Sequence, residues 1–360
     1  MIIRSLDETY IIAEIGQNHN GDINIAKKLI DQLDNYPYDT STGERLQKAN
    51  AIKLTKRDLS DELTVEAYNK PYDGPNSFGE TYGEHREFLE LSYEDHVELG
   101  KYIKSRGFEF VETICSLSAM KLLDMIQVDK IKVASRDLTN IPLLTALSER
   151  SEPIILSTGM ANEKDLYQAL EIFRRGKNKE VSVLHCLSEY PARSLNLNLR
   201  TITWLQEKVP SRLPGKRVKI GYSDHSIGTF IPVGAVALEA KIIEKHVTLD
   251  TSMKGSDHAG SADMSTFRDM VRDIRMLERA LGYEWLIRDA SVEQTRIKLE
   301  RSLATKNTIQ ANAVVTLEDL HMISPGSGLK WEDRGLIIGK RAKMDILANT
   351  LVTEDMVEDE

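Results

Sequence analysis

Two short apolar runs of the 360-residue chain end in an imidazole, as Ser223-Asp224-His225 and Glu244-Lys245-His246, and such a pair could hold a divalent metal. Imidazole suits Mn2+, Zn2+ or Fe2+, and a nearby carboxylate such as Glu14 or Asp257 would tilt the site towards harder ions. His19, His185 and His258 also fall at or just beyond the ends of such runs, so five of the eight histidines are expected at one place. Lys53 and Lys132 lie within apolar runs, where an unpaired ammonium is costly. An anionic ligand would resolve that cost. With the hydroxyls of Thr113, Ser135, Ser157 and Thr158, the two lysines would form a cradle for phosphate and carboxylate. Two other arrangements would also account for the lysines. They could form internal salt bridges with Glu14, Glu112 or Asp137, or a desolvated amine could form a Schiff base. Arg57, Arg136 and Tyr190 are weaker candidates, open equally to a paired-surface or turn-packing reading. Cys115 and Cys186 have no evident partner base and are expected to pack.

The elements that position these residues are short and repetitive. Runs rich in β-formers occupy Tyr10–Gly16 and residues 51–55, 108–114, 130–135, 153–159, 181–186, 218–224 and 242–247. Amphipathic stretches such as INIAKKLIDQLDN and SAMKLLDMIQ lie between them. Strands alternating with helices predict parallel pairing through right-handed crossovers, and eight such units fit a closed (β/α)8 barrel. An open doubly wound sheet is the rival, but no GxGxxG turn follows the first strand. In a barrel the polar residues named above would share one mouth, at the C-terminal ends of the strands. The long segment from Lys56 to about Glu90, carrying Pro71, Gly74, Pro75 and Gly79, would be a functional loop at that mouth. The expected organisation is a barrel domain over 1–284, a charged connection over 285–298 and a small, mostly β domain over 299–360.

A formal net charge of −9 argues against a nucleic-acid or anionic-membrane partner. Two cysteines without a CxxC pair suit a reduced compartment. The start MIIRSLDETYIIAEIG lacks the pattern of a signal peptide, and the longest apolar stretch, 230–238, is too short to span a bilayer. A cytoplasmic protein is expected.

With these residues in view, the chain resembles the sialic acid (N-acetylneuraminate) synthase family over nearly its whole length. The marks are Ala13-Glu14-Ile15-Gly16 with Asn18-His19 and Gly21-Asp22; Lys53; Lys132-x-x-Ser135 with Asn140; and Ser157-Thr158-Gly159-Met160. Further marks are His185-Cys186 before Tyr190-Pro191, Ser223-Asp224-His225, Glu244-Lys245-His246 with Leu249-Asp250, and Lys254-Gly255-Ser256-Asp257-His258-Ala259. The tail, from Arg301-Ser302-Leu303 through Pro325-Gly326-x-Gly328 to Gly339-Lys340, looks like a SAF (antifreeze-like) domain.

The resemblance implies a metal-dependent enzyme that condenses phosphoenolpyruvate with an open-chain N-acetylmannosamine-like aldehyde and water, releasing phosphate. It implies metal ligation by His225 and His246, with Mn2+ foremost and Mg2+ or Co2+ as alternatives. Glu14, Lys53, Lys132 and Asp257 take catalytic positions, and Thr113, Ser135, Arg136, Asp137, Ser157, Ser188 and Tyr190 bind substrate. It also implies a domain-swapped homodimer in which one subunit's SAF domain caps the other's barrel mouth. Departures from the family pattern stand at Thr55, where relatives commonly have Gln; at Arg136-Asp137, in place of Gly-Glu; and at Ser188, in place of Asn. Ser324 takes the place of an arginine that in relatives reaches the substrate's N-acetyl group. Losing a charged donor at a buried polar contact costs on the order of 1–3 kcal/mol, so a diamino sugar of the legionaminic or pseudaminic type is the alternative substrate. Readings of other classes are a Schiff-base aldolase and a non-catalytic sugar-binding protein.

Overall fold

Apolar runs with few interruptions form strands here because both of their faces are covered, one by helices and one by the barrel interior. The computed structural model describes residues 8–35, 43, 46–282 and 285–359. In it β1 (Tyr10–Gly16), β2 (Ala51–Lys56), β3 (Glu109–Ile114), β4 (Lys130–Val133), β5 (Ile154–Ser157), β6 (Glu180–Cys186), β7 (Arg217–Asp224) and β8 (Ile242–His246) pair in sequence order and close, β8 against β1. All eight pairings are parallel. Closure excludes the open sheet. A jacket of helices, among them Ile23–Asn35, Tyr93–Ser105, Glu163–Arg175 and Met264–Leu281, buries its apolar stripe against the outer strand faces. The stretch SAMKLLDMIQ does not make one helix: it splits into a 3-10 turn, Ser118–Lys121, and a single α turn, Leu122–Met125.

The chain divides into two compact units, one ending at Gly282 and one beginning at residue 283. The second has its own core of Leu303, Val315, Ile337, Ala342 and Val352. Its β9 (Ser302–Thr305) and β10 (Leu320–Ile323) pair antiparallel, as do β11 (Arg341–Ala342) and β12 (Val357–Glu358). Part of the charged connection is helical, at Glu293–Leu299. Residues 1–7 of the N-terminal stretch, and positions 284 and 360 that end the expected barrel and tail domains, lie outside the described residues. Among the described residues no helix is long and apolar enough to cross a membrane.

The turn after β1 has a consequence for acid stability. His19 is buried there and its Nδ1 accepts the backbone N–H of Gly21 at 3.0 Å, so the ring must stay neutral. Burial, aided by the nearby His96, pushes its pKa down from the ordinary 6.5 to about 3. Between those values the unfolded chain binds a proton that the folded chain does not, so stability falls as pH drops from 6.5 towards 3, by up to about 1.4 kcal/mol per pH unit. Urea midpoints measured across this window should flatten in His19→Gln relative to the parent. Equal slopes would mean that other groups set the acid response.

Candidate active site

The barrel interior is layered by the two-residue period of its strands. Ile12, Ala51, Val111, Ile155, Leu184 and Ile242 pack into an apolar floor. Two residues further along, on the same faces, stand Glu14, Lys53, Thr113, Ser157, Cys186 and Glu244, and all six line a cavity of about 350 Å3. Lys132 of β4 and His246 of β8 join them. Ser135, Arg136, Ser188, Tyr190, His225 and Asp257, supplied by the segments beyond the strand ends, complete the candidates on this wall. Asp137 is the exception. It is buried and lines a neighbouring cavity instead.

The same period removes several expected neighbours. His185 alternates with Leu184 and Cys186, so it faces the helical jacket, where its Nε2 meets the Leu197 carbonyl at 2.6 Å. Thr158 points its hydroxyl at the Leu184 carbonyl (3.1 Å) rather than into the cradle. His258 is buried against Thr248 and Asn20. Only His225 and His246 of the five grouped histidines line the cavity. Asp224, next to His225 in the chain, is occupied by the ammonium of Lys245 and the hydroxyls of Tyr222 and Ser226.

The lysines meet carboxylates, so the salt-bridge arrangement is present, with Glu14 as expected and Glu244 in place of Glu112 and Asp137. Lys53 pairs with Glu14, lies 3.7 Å from Glu244 and donates to Thr113 Oγ1 at 2.9 Å. Lys132 lies 3.4 Å from Glu244, whose Oε1 also accepts from Ser223 at 2.8 Å. Glu112 instead faces outwards to His96 (3.0 Å), and Asp137 faces Arg136 (3.4 Å). Glu244 was missed from the sequence, although its position two residues before His246 puts it on the same strand face.

Electrostatics separates the two carboxylates. Burial raises the pKa of Glu14 in spite of Lys53. For Glu244 burial acts in the same direction, but Lys132 and Lys53 together outweigh it and hold the group ionised. Paired titratable groups pushed in opposite directions mark acid–base division of labour. Burial lowers Lys132, whereas for Lys53 the Glu14 carboxylate overcomes burial and raises it. Within the cradle, the buried Ser157 hydroxyl has no hydrogen-bond partner.

The imidazoles of His225 and His246 stand 5.6 Å apart between ring centres, with the Tyr190 ring 4.0 Å from that of His225. His225 Nδ1 is engaged by the Leu187 carbonyl at 2.7 Å, which leaves Nε2 as the lone-pair nitrogen. His246 Nδ1 is buried without a partner. Two available imidazole nitrogens beside a polar cavity fit a divalent ion. Among the described residues no cluster of three or more His, Cys, Asp or Glu forms a full cage, so its remaining positions would be left to water and substrate.

The long loop after β2 contributes Arg57 and Arg86 to the same wall. Arg86 is held by Gln17 (2.6 Å) and by the hydroxyl of Tyr82. On the opposite side the cradle is tightly packed around Gly159, whose N–H donates to Ser135 Oγ at 2.9 Å. A Cβ there would meet Ser188 Oγ at 2.5 Å, Ser135 Oγ at 2.8 Å and Cys186 Sγ at 2.9 Å. Gly159→Ala is therefore expected to displace the two hydroxyls and to raise the KM for the anionic substrate about tenfold or more, with thermal stability changed much less. An unchanged KM would place that substrate elsewhere.

The NeuB family model matches residues 45–285, and the SAF domain model matches residues 300–358. Human N-acetylneuraminate-9-phosphate synthase is 32% identical over 353 residues, covering 97% of this chain and 92% of that protein. The N,N'-diacetyllegionaminic acid synthase of Legionella pneumophila is 32% identical over 356 residues, covering 97% and 94%. Among solved structures, N-acetylneuraminic acid synthetase from Leptospira borgpetersenii superposes with a TM-score of 0.66 at 30% identity, covering 81% of this chain and 90% of that one.

Proposed function

We infer that this chain, which belongs to the NeuB family and carries a SAF domain after its barrel, is a nonulosonic acid synthase. It condenses phosphoenolpyruvate with an open-chain amino-sugar aldehyde and water, giving a nine-carbon sialic-type acid and phosphate. The observation that carries this reading is the single cavity in which two buried lysines and the unpartnered Ser157 hydroxyl face two available imidazoles.

Carbon 3 of phosphoenolpyruvate attacks the aldehyde carbon, forming the C–C bond and leaving positive character at C2. Water adds to C2; one of its protons ends on the former aldehyde oxygen, which becomes a hydroxyl, and the other leaves with phosphate as the C2–O bond breaks and the C2 carbonyl forms. Lys53 and Lys132 hold the phosphate and carboxylate charge throughout, and preorganised charge in a dry pocket is usually the largest single contribution to catalysis. Glu244 stays ionised and keeps both ammonium groups in place. Glu14, the more basic carboxylate, takes the proton of the attacking water. Asp257 and Tyr190 border the imidazoles and would orient the aldehyde. His225 and His246 would hold a divalent ion, Mn2+ in the first place, whose Lewis acidity would polarise the aldehyde oxygen.

The finer parts of the reading belong here too. The aldehyde is N-acetylmannosamine-like or, as the departures at Thr55, Arg136 and Ser324 favour, a diamino hexose of the legionaminic or pseudaminic type. A homodimer with the SAF domain of one subunit over the barrel mouth of the other is supported by exposed apolar side chains beyond β5, β6 and β7: Met160, Leu195, Ile227 and Phe230. Cytoplasmic residence agrees with the two free cysteines. A phosphate-release screen with phosphoenolpyruvate, Mn2+ and mannosamine-, bacillosamine- and altrose-derived aldehydes tests the function. Release that requires both metal and one of these aldehydes is expected; binding without release would mean a sugar-binding protein, and a borohydride-trapped adduct on Lys53 or Lys132 an aldolase.

A further inference from the structure

Next to the main cavity lies a second one of about 310 Å3, and the two share Arg86, Cys115 and Arg136 in their walls. Its polar wall includes Asp61, Tyr82, Arg86 and Asn140, and three further groups come from two segments. The long loop after β2 supplies Glu62, just past the 3-10 turn Leu59–Asp61, and the 3-10 turn Ser135–Asp137 after β4 supplies Arg136 and Asp137. The Arg136 guanidinium lies 3.6 Å from Glu62 and 3.4 Å from Asp137. These are ion-pair distances, yet Arg136 Nη2, Glu62 Oε1 and Asp137 Oδ2 are all buried without a hydrogen bond. Asp137 is 7% exposed.

Buried polar atoms are rarely left unmade, because each costs its full desolvation. Here one donor and two acceptors make no hydrogen bond, Arg136 and Asp137 being held only at ion-pair distances of 3.4–3.6 Å, around a void that runs into the active-site cavity. Their chemistry narrows the occupant. A phosphate or carboxylate would meet Glu62 and Asp137 as like charges, and an ammonium would meet Arg136. An apolar group would leave every one of these atoms unsatisfied. A secondary amide satisfies both kinds at once: its carbonyl accepts from the guanidinium and its N–H donates to a carboxylate. Burial raises the pKa of Glu62 to about 6 and raises that of Asp137, the cost a dry acceptor site carries until a donor arrives.

We propose that Glu62, Arg136 and Asp137 form a specificity subsite for an acylamido substituent of the sugar aldehyde, an assignment that rests on the synthase reading. Arg136 and Glu62 then act as specificity-determining residues. They bind the arm of the substrate that does not react.

The test measures KM for the aldehyde and for phosphoenolpyruvate separately, using N-acetylmannosamine and unacylated mannosamine, in the parent, in Arg136→Met and in Glu62→Ala. The parent should prefer the acylated sugar. Each variant should raise the KM for that sugar about ten- to a hundredfold, lose the preference, and leave the KM for phosphoenolpyruvate within about twofold. Glu62 sits on a loop outside the barrel core, so its truncation keeps the question open even if Arg136→Met folds poorly. Equal effects on both sugars, or a KM for phosphoenolpyruvate that rises in step, would overturn the subsite. Calorimetric binding of the two sugars to the same three proteins separates the claims. If no aldehyde supports phosphate release, the synthase reading fails. The subsite still stands or falls by whether the acyl preference in binding disappears in the variants.

Discussion

His246→Ala is expected to lower aldehyde-dependent phosphate release by about a thousandfold and to leave the barrel folded. The ring of His246 closes β8, and its Nδ1 is buried with no hydrogen-bond partner. Deleting it removes an unsatisfied group rather than a structural bond, so the fold loses little. What would be lost is one of the two nitrogens available to a divalent ion and, on the proposed mechanism, the polarisation of the aldehyde. Far-ultraviolet circular dichroism should be unchanged while release collapses. Chelation of the parent should reproduce the loss, and Mn2+ should reverse it in the parent but not in the variant. An active variant indifferent to chelators would remove the metal from the account.

The second large effect concerns the buried charge quartet of Glu14, Lys53, Lys132 and Glu244. Removing one partner from a buried ion pair leaves an uncompensated charge and costs about 3–5 kcal/mol. Lys132→Met should therefore lower stability by that order, because Glu244 is left facing only Lys53 at 3.7 Å. It should also lower turnover by a hundredfold or more, since charge aimed at the departing phosphate is lost. The double variant Lys132→Met/Glu244→Gln separates the two roles. Neutralising both partners should return most of the stability, read from urea midpoints, and none of the activity. Recovery of both together would make the pair structural, and a fully active Lys132→Met would exclude it from the reaction.

The barrel and most of its mouth were legible in the sequence because period-two strands buried on both faces leave a plain mark. Polar residues near the ends of such strands have few places to go. Lys53, Thr113, Lys132 and His246 could be placed on that ground alone. The misplacements have the same origin: proximity to a strand end does not fix which face a residue occupies. His185 and Glu112 fall on odd positions relative to Leu184 and Val111, and so turn towards the helices. Glu244 falls on the even position and was overlooked. The annex around Glu62 had no sequence signal, because it depends on how a 35-residue loop folds back over β4. Loop conformation follows from tertiary contacts rather than from periodicity. The lysines also show that one pattern, cations within apolar runs, suits a ligand cradle and an internal salt bridge alike. The structure contains the salt bridges, and the unpartnered Ser157 hydroxyl beside them is what keeps the cradle reading in force.

The most direct test is to run the reaction in 18O-labelled water and weigh both products. If the quartet and the imidazoles carry out the condensation described above, phosphate appears only when aldehyde is present. That phosphate is unlabelled, because the C–O bond breaks, and the label sits at C2 of the new acid. Label in the phosphate, or phosphate released without aldehyde, would contradict it.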